Sequence, residues 1–272
     1  MKNYIKTTVF AAAVSAAWLG VAGPHAQTPT PEALAPETLT EGAPEDFVGL
    51  MDPVRVVPIV QEPRHRTVHR LQTGTGTGTG ADVRLLDVQI NPGDMTLPHT
   101  HDAAILYTFI SNGEGPLNGR LSSVTRYVDE QYTHRVSNPG PGLFRIIALT
   151  SYAEPVDEDN ASTLPTGLAP APDISNGWFR AWRLTLAPGA STGIVQHQHP
   201  AFVVQASAGE VQVLRSDGIT EELLMAGHWS ALTSGQQYTL VNRSEQVIAI
   251  VIKEARVSLA SQDQASVSTT GQ

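Results

Sequence analysis

The chain has 272 residues, 41% hydrophobic and 16% charged, with a formal net charge of -9 and no cysteine. Without cysteine, disulfides, iron–sulfur clusters, thiolate zinc sites and a cysteine-linked lipid anchor are excluded. An acidic chain with no Lys/Arg run is a poor match to nucleic acid or to an anionic membrane surface.

Residues 1–26 read as a secretory signal, with Lys2 and Lys6 before the apolar run Val9–Ala22. That run falls short of the ~20 residues a membrane span needs, and Gly20, Ala22 and Ala26 offer small-residue cleavage points. The mature protein is therefore expected to be periplasmic or secreted, with no membrane segment after signal removal. Residues 27–45, rich in Pro, Thr and Glu, have too few apolar side chains to offset the cost of ordering and read as a flexible leader. Phe47–Val60 is expected to lie along the first domain as an arm. His65 and His69 are four apart, a spacing that aligns on a helix, but the prolines and arginines around them favour a solvated strand or loop. Thr73–Gly80, TGTGTGTG, reads as a low-complexity loop or hairpin tip; no Gly-Lys-Ser/Thr follows to make a phosphate loop.

From Asp82 the texture changes to short β-branched and aromatic runs, among them VRLLDVQI, ILYTFI, LFRIIAL, FRAWRLTLA and QVIAIVIK, mostly separated by Gly, Pro, Asn or Asp. This spacing predicts an all-β sandwich or barrel. Several runs are apolar on both faces, as where two sheets or two domains pack. Residues 153–176, with Pro, Asp and Ala, read as a linker between a first domain at 46–152 and a second at 177–258. The Ser/Gln/Thr-rich tail 259–272 is expected to fray.

The stretch Ile90–Gly113 carries the chemistry. It holds a Pro92-Gly93 turn, then His99 and His101, then an apolar run to Gly113. On a strand, residues i and i+2 share a face, so both imidazoles would converge on one point. A metal ion would satisfy their buried nitrogens, and so would hydrogen bonds around water. The pattern returns about a hundred residues later: Pro188-Gly189, then His197 and His199, then an apolar run to Gly209, with Glu114 and Glu210 following the closing glycines. Such an offset implies two copies of one domain.

The repeat resembles the cupin superfamily, whose motifs run G-x5-H-x-H-x3/4-E-x6-G and G-x5-P-x-G-x2-H-x3-N. In the first copy Gly93, His99, His101 and Gly113 fit the first motif, and His134 and Asn138 fit the end of the second. In the second copy His197 and His199 match the pair after a two-residue insertion, and Gly227, Gly235, Tyr238 and Asn242 follow the second motif, with Thr233 in place of Pro and Tyr238 in place of His. The resemblance implies two jelly-roll β-barrels in tandem, a bicupin. Neither copy keeps the family's glutamate. The first has Ile105 or Leu106 there; the second has Phe202, Val203 or Val204.

What the resemblance implies is a divalent transition metal (Fe, Mn, Ni or Zn) held by His99, His101 and His134. Its site is similar to those of three-histidine thiol dioxygenases and diketone-cleaving cupins. Tyr107 shares the parity of the pair, and Tyr127, Glu130 and Tyr132 precede His134 as candidates for a polar wall. A second, weaker metal site would use His197, His199 and Tyr238, with the Gln205 amide near the missing carboxylate; a phenol must lose a proton to ligate well. His228 reads as a surface histidine at a turn edge. The function expected is metal-dependent oxygenation of a small organic substrate, the alternative being a non-catalytic ligand-binding or structural cupin. No catalytic residue is assigned. The partner is a small molecule, and exposed barrel edges fit a homodimer.

Overall fold

The computed structural model describes residues 55–72, 82–156, 164–168 and 171–257. The signal, the leader, the Gly-Thr repeat, the acidic run 157–159 and the tail fall outside the described residues. Short β-branched runs between turn residues become strands almost throughout. The first half contains β1 (Val57–Pro58), β2 (His65–Gln72), β3 (Asp82–Ile90), β4 (His99–His101), β5 (Ala104–Asn112), β6 (Pro116–Val124), β7 (Tyr132–His134) and β8 (Phe144–Ser151). The second begins with β9 (Ile174–Ser175), β10 (Phe179–Leu186), β11 (Val195–Gln196), β12 (Ala201–Gln205) and β13 (Val211–Arg215). It ends with β14 (Thr220–Leu223), β15 (Trp229–Leu232), β16 (Gln237–Asn242) and β17 (Ile248–Ala255).

Each half pairs a five-stranded sheet with a smaller one. In the first, the order β2-β3-β8-β5-β6 faces β1-β4-β7; in the second, β15-β12-β17-β10-β9 faces β11-β16-β13-β14. The protein is all-β, as the strand-length apolar runs predict. Part of the expected linker joins this scheme, since Ile174–Ser175 is an edge strand against β10 and Thr166 bridges Gln196.

Side-chain alternation explains the runs that are apolar on both faces. On β3, Leu86, Val88 and Ile90 enter a core inside the first half, while Val83 and Leu85 enter a core shared with the second half. On β17, Ile248, Ile250 and Ile252 fill the second half, while Val251 and Ala255 face the first. The two large sheets thus pack through a common apolar layer. One buried amine interrupts it: Lys253 Nζ donates to Ile147 O (2.5 Å) and Leu106 O (3.3 Å) across the layer, and burial pushes its pKa well down. At the margin, Arg145 donates to both Asp87 oxygens and to the carbonyls of Ala226 and Gly227, tying the halves together.

The sequence repeat is also a repeat of hydrogen bonds. Asn138 Nδ2 donates to Ile90 O and Gly142 O; Asn242 Nδ2 donates to Leu186 O, Ala187 O and Gln246 O. Gly113 lies at φ +86°, and a Cβ there would overlap Asn138 Oδ1, so this closing turn requires glycine.

Candidate metal centre

β4 is only three residues long, and its place is set from both sides. Gly93 N donates to Asn138 O (2.8 Å), Thr96 N donates to Val136 O (2.9 Å), and Val136 N donates back to Thr96 Oγ1 (2.9 Å). These bonds bring β4 beside β7 in antiparallel register, His99 opposite His134 and His101 opposite Tyr132. His99 and His101 therefore share a face, and His134 meets them from the neighbouring strand. The ligating atoms of the three imidazoles all lie within 4.8 Å of one another. Among the described residues they form the one such group of three or more metal-binding side chains.

The spacing suits a metal. At a metal–nitrogen distance of about 2.0–2.1 Å, neighbouring ligand nitrogens stand about 3.0–3.5 Å apart. His101 Nε2 and His134 Nε2 are already 3.0 Å apart. Without a metal, one of these nitrogens must carry a proton to bond the other, and a cation would take both lone pairs instead. His99 Nδ1–H donates to Leu97 O (3.0 Å), which leaves its Nε2 as the free lone pair. His101 Nδ1 lies 3.4 Å from the Tyr107 hydroxyl, a second contact that orients a ligand ring.

Burial keeps these rings neutral, which is the state that binds a metal. Desolvation, and after it the neighbouring imidazoles, lowers the pKa of His101 to about 2 and that of His134 to about 4. His99 is lowered by burial as well.

An aromatic wall stands beside the triad. Tyr107 reaches His101 as its strand parity predicts, and burial raises its pKa. Tyr127 lies out of strand parity with His134, yet a 3-10 turn over Arg126–Val128 carries it to 5.0 Å from the His101 ring, centre to centre. Tyr132 stacks on Tyr127 with rings 5.6 Å apart and stands 5.0 Å from His134. Glu130 is exposed and takes no part in this wall; Glu114 is exposed too.

Two further residues stand near the triad, Glu62 and His65, and His65 was expected on a solvated strand or loop. His65 is on a strand, but it is buried rather than solvated: 5% exposed, its ring 4.6 Å from His99. A bulge between Thr67 and His69 breaks the β2–β3 register. It turns His69 to the opposite side, against Phe202 and Trp229. His65 Nδ1–H donates to Ile59 O (3.1 Å), and burial followed by the His99 ring lowers its pKa to about 3. Glu62, 1% exposed, accepts from Arg64 N (2.6 Å) and Leu97 N (3.1 Å). β1 brings the segment in by pairing parallel to β4, Val57 opposite His99. The available signal was the spacing Glu62-x2-His65 next to strand residues.

In the second half the same backbone bonds recur: Gly189 N to Asn242 O, Thr192 N to Leu240 O, and Leu240 N to Thr192 Oγ1. They fix the correspondence, and it differs from the one read off the H-x-H spacing. Val195 pairs with Tyr238 as His99 pairs with His134. Gly189 and Gly93 thus stand equally far before Val195 and His99, with no two-residue insertion. His197, two residues on, matches His101. His197 Nε2 is 2.9 Å from the Tyr238 hydroxyl, and its Nδ1 is 3.4 Å from Glu254 Oε2. Glu254 is buried, with Arg180 4.0 Å away. Burial, then the Glu254 charge, raises the pKa of Tyr238, so the phenol stays protonated. His199 Nδ1–H donates to Val257 O (3.0 Å). Gln205 spends its amide N–H groups on Ser207 O and Gly209 O. His228, half-buried, accepts from Leu224 N and closes the turn before β15.

No protein-family model matches the sequence, and no curated protein matches it. Solved structures similar to the chain include AerE from Microcystis aeruginosa, 12% identical, covering 71% of this chain and 99% of that one at a TM-score of 0.49. A conserved protein of unknown function from Pseudomonas aeruginosa PAO1 is 12% identical over 72% of this chain and 95% of its own, at a TM-score of 0.40. A cupin domain from Bordetella pertussis Tohama I is 23% identical over 33% of this chain and 93% of its own, at 0.29. Cupin-domain structures recur among the similar structures.

Proposed function

We propose that the protein is a bicupin whose first half binds one divalent first-row metal through His99, His101 and His134, and that it oxygenates a small organic substrate there. The observation that carries the reading is the convergence of three neutral imidazoles within 4.8 Å, beside a wall of three tyrosines. No carboxylate belongs to that group. A metal held by three neutral nitrogens keeps its full charge and supplies a Lewis-acidic centre with open positions for substrate and O2. The chain's own part is to fix three lone pairs, to keep the rings unprotonated by burial, and to offer aromatic faces and hydroxyls to a small organic molecule. Fe, Mn, Ni and Zn all suit imidazole, and affinity order alone does not choose among them. The apolar start of the chain supports export to the periplasm or beyond.

The test is metal analysis of protein purified without added ions, alongside His134→Ala, followed by oxygen-uptake screening of the loaded protein with small organic acids, thiols and diketones. One metal per chain, lost in the variant, with substrate-dependent oxygen uptake, is the expected result. Substoichiometric metal indifferent to the substitution overturns the reading. Stoichiometric zinc inert toward O2 overturns the oxygenase half and favours a binding or hydrolytic role.

A further inference from the structure

A buried carboxylate stands behind the triad without belonging to it. The Glu62 side chain is fully buried; among the described residues the Arg64 guanidinium, partly exposed, stands 3.6 Å from Oε1 and His65 Nε2 stands 3.8 Å from Oε2. Burying a carboxylate is costly unless hydrogen bonds and opposite charge compensate it. One oxygen takes Arg64 N; the other takes Leu97 N. Leu97 is bonded through both of its backbone groups: its N–H, in the Thr96–Leu97 amide, donates to Glu62, and its carbonyl, in the Leu97–Pro98 amide, accepts from His99 Nδ1–H. The sequence of contacts runs Glu62 carboxylate, Leu97 backbone, His99 ring, and it ends at the His99 Nε2 lone pair in the triad. The parallel pairing of β1 with β4 anchors the segment that delivers it.

Resting on the three-imidazole reading, we propose that Glu62 is the positioning residue of the metal centre. Through the Leu97 backbone it holds His99 in the Nδ1–H form, with Nε2 left as the lone pair for the metal. It also provides, one residue removed, the negative charge that the three ligands lack. A carboxylate hydrogen-bonded to a ligand raises ligand basicity and fixes ring orientation, and losing such support typically weakens metal binding 10–100-fold. Here the Leu97 residue stands between the carboxylate and the ring, its N–H and C=O in successive amides joined at Cα, so Glu62 acts by fixing the backbone that orients His99 and by its charge through space.

Glu62→Gln removes the charge while its amide oxygen still accepts from Leu97 N, at the loss of the bond from Arg64 N. Co(II) alone is titrated into the full chain, its bands followed by absorbance, for the wild type, Glu62→Gln and His134→Ala. The expected result is one equivalent bound by the wild type and none by His134→Ala. Glu62→Gln should bind one equivalent about 10–100-fold more weakly, in a protein that stays folded with a melting temperature lowered by the lost Arg64 N–H bond. Wild-type affinity in a folded Glu62→Gln overturns the role of Glu62 and leaves the triad standing. Absence of Co(II) binding in the wild type overturns both. Nitrogen-15 NMR of the metal-free wild type gives a reading independent of whether the variant folds. The Nδ1–H form at His99 supports the proposal, and the Nε2–H form overturns it.

Discussion

The two halves use one backbone device to different ends. Each begins with a Pro-Gly turn, crosses to a buried Asn, and sets a short strand beside its partner through a Thr hydroxyl. In the first half the register presents His99, His101 and His134; in the second it presents Val195, His197 and Tyr238. Where the first half has two nitrogens 3.0 Å apart, the second has a nitrogen and a protonated phenol 2.9 Å apart. The scaffold is the same and the donor set is not. Where the first half sets three imidazoles together, the second sets one imidazole against a phenol.

The sharpest way to break the comparison is to exchange donor sets. His134→Tyr gives the first half the second half's phenol, and metal affinity should fall by about 100-fold or more, because a buried phenol must lose a proton to bind. The reverse double substitution, Val195→His with Tyr238→His, should add a second equivalent. Isothermal titration with Co(II) checks both, and an unchanged stoichiometry in the double variant would break the correspondence between halves.

Next in size is the shared brace. Asn138→Ala and Asn242→Ala each strand buried carbonyls that the amide now satisfies. Each should cost about 2–4 kcal/mol, measured by urea unfolding. A loss at one site only would show that the halves do not depend on the brace equally.

Acid should then separate folded from unfolded chain through the first half. The folded pKa of His134 is depressed to about 4 from an ordinary 6.5. As pH falls through 6.5 the unfolded chain takes up this proton first, so stability present above 6.5 is lost progressively down to about 4. The melting temperature of the metal-free protein should drop between pH 7 and pH 5, and more shallowly in His134→Asn. Equal slopes would remove His134 from the acid response.

The smallest effect concerns the turns. Gly93 and Gly189 lie at φ +81° and +70°, and a methyl group on either would meet nothing within 4 Å. Alanine at either should cost only the left-handed backbone strain, about 1–2 kcal/mol, and the same in both halves. Gly113→Ala should cost more, since it also displaces Asn138. Urea unfolding of the three variants checks the order.

Much of the site was legible because strand chemistry is local. The H-x-H spacing puts His99 and His101 on one face by period alone, and the glycines at turns announce positive φ. The register of the second half was not legible. His197 and His199 have the same spacing, but which residue faces Tyr238 is decided by hydrogen bonds between Thr192 and Leu240, residues far apart in sequence. Tyr127 is a wall candidate in the sequence, but its route to the site was not legible: a 3-10 turn, not a strand, carries it to His101.

By itself the sequence determined the all-β class, the internal repeat and the imidazoles available as ligands, since alternation and turn chemistry act between near neighbours. Tertiary structure alone decided that Glu62 and His65 lie behind His99. A parallel β1–β4 pairing folds that segment onto the sheet, and a bulge turns His65 inward while sending His69 to the other half. Pairing register and burial are settled by contacts between distant segments, and no local pattern encodes them.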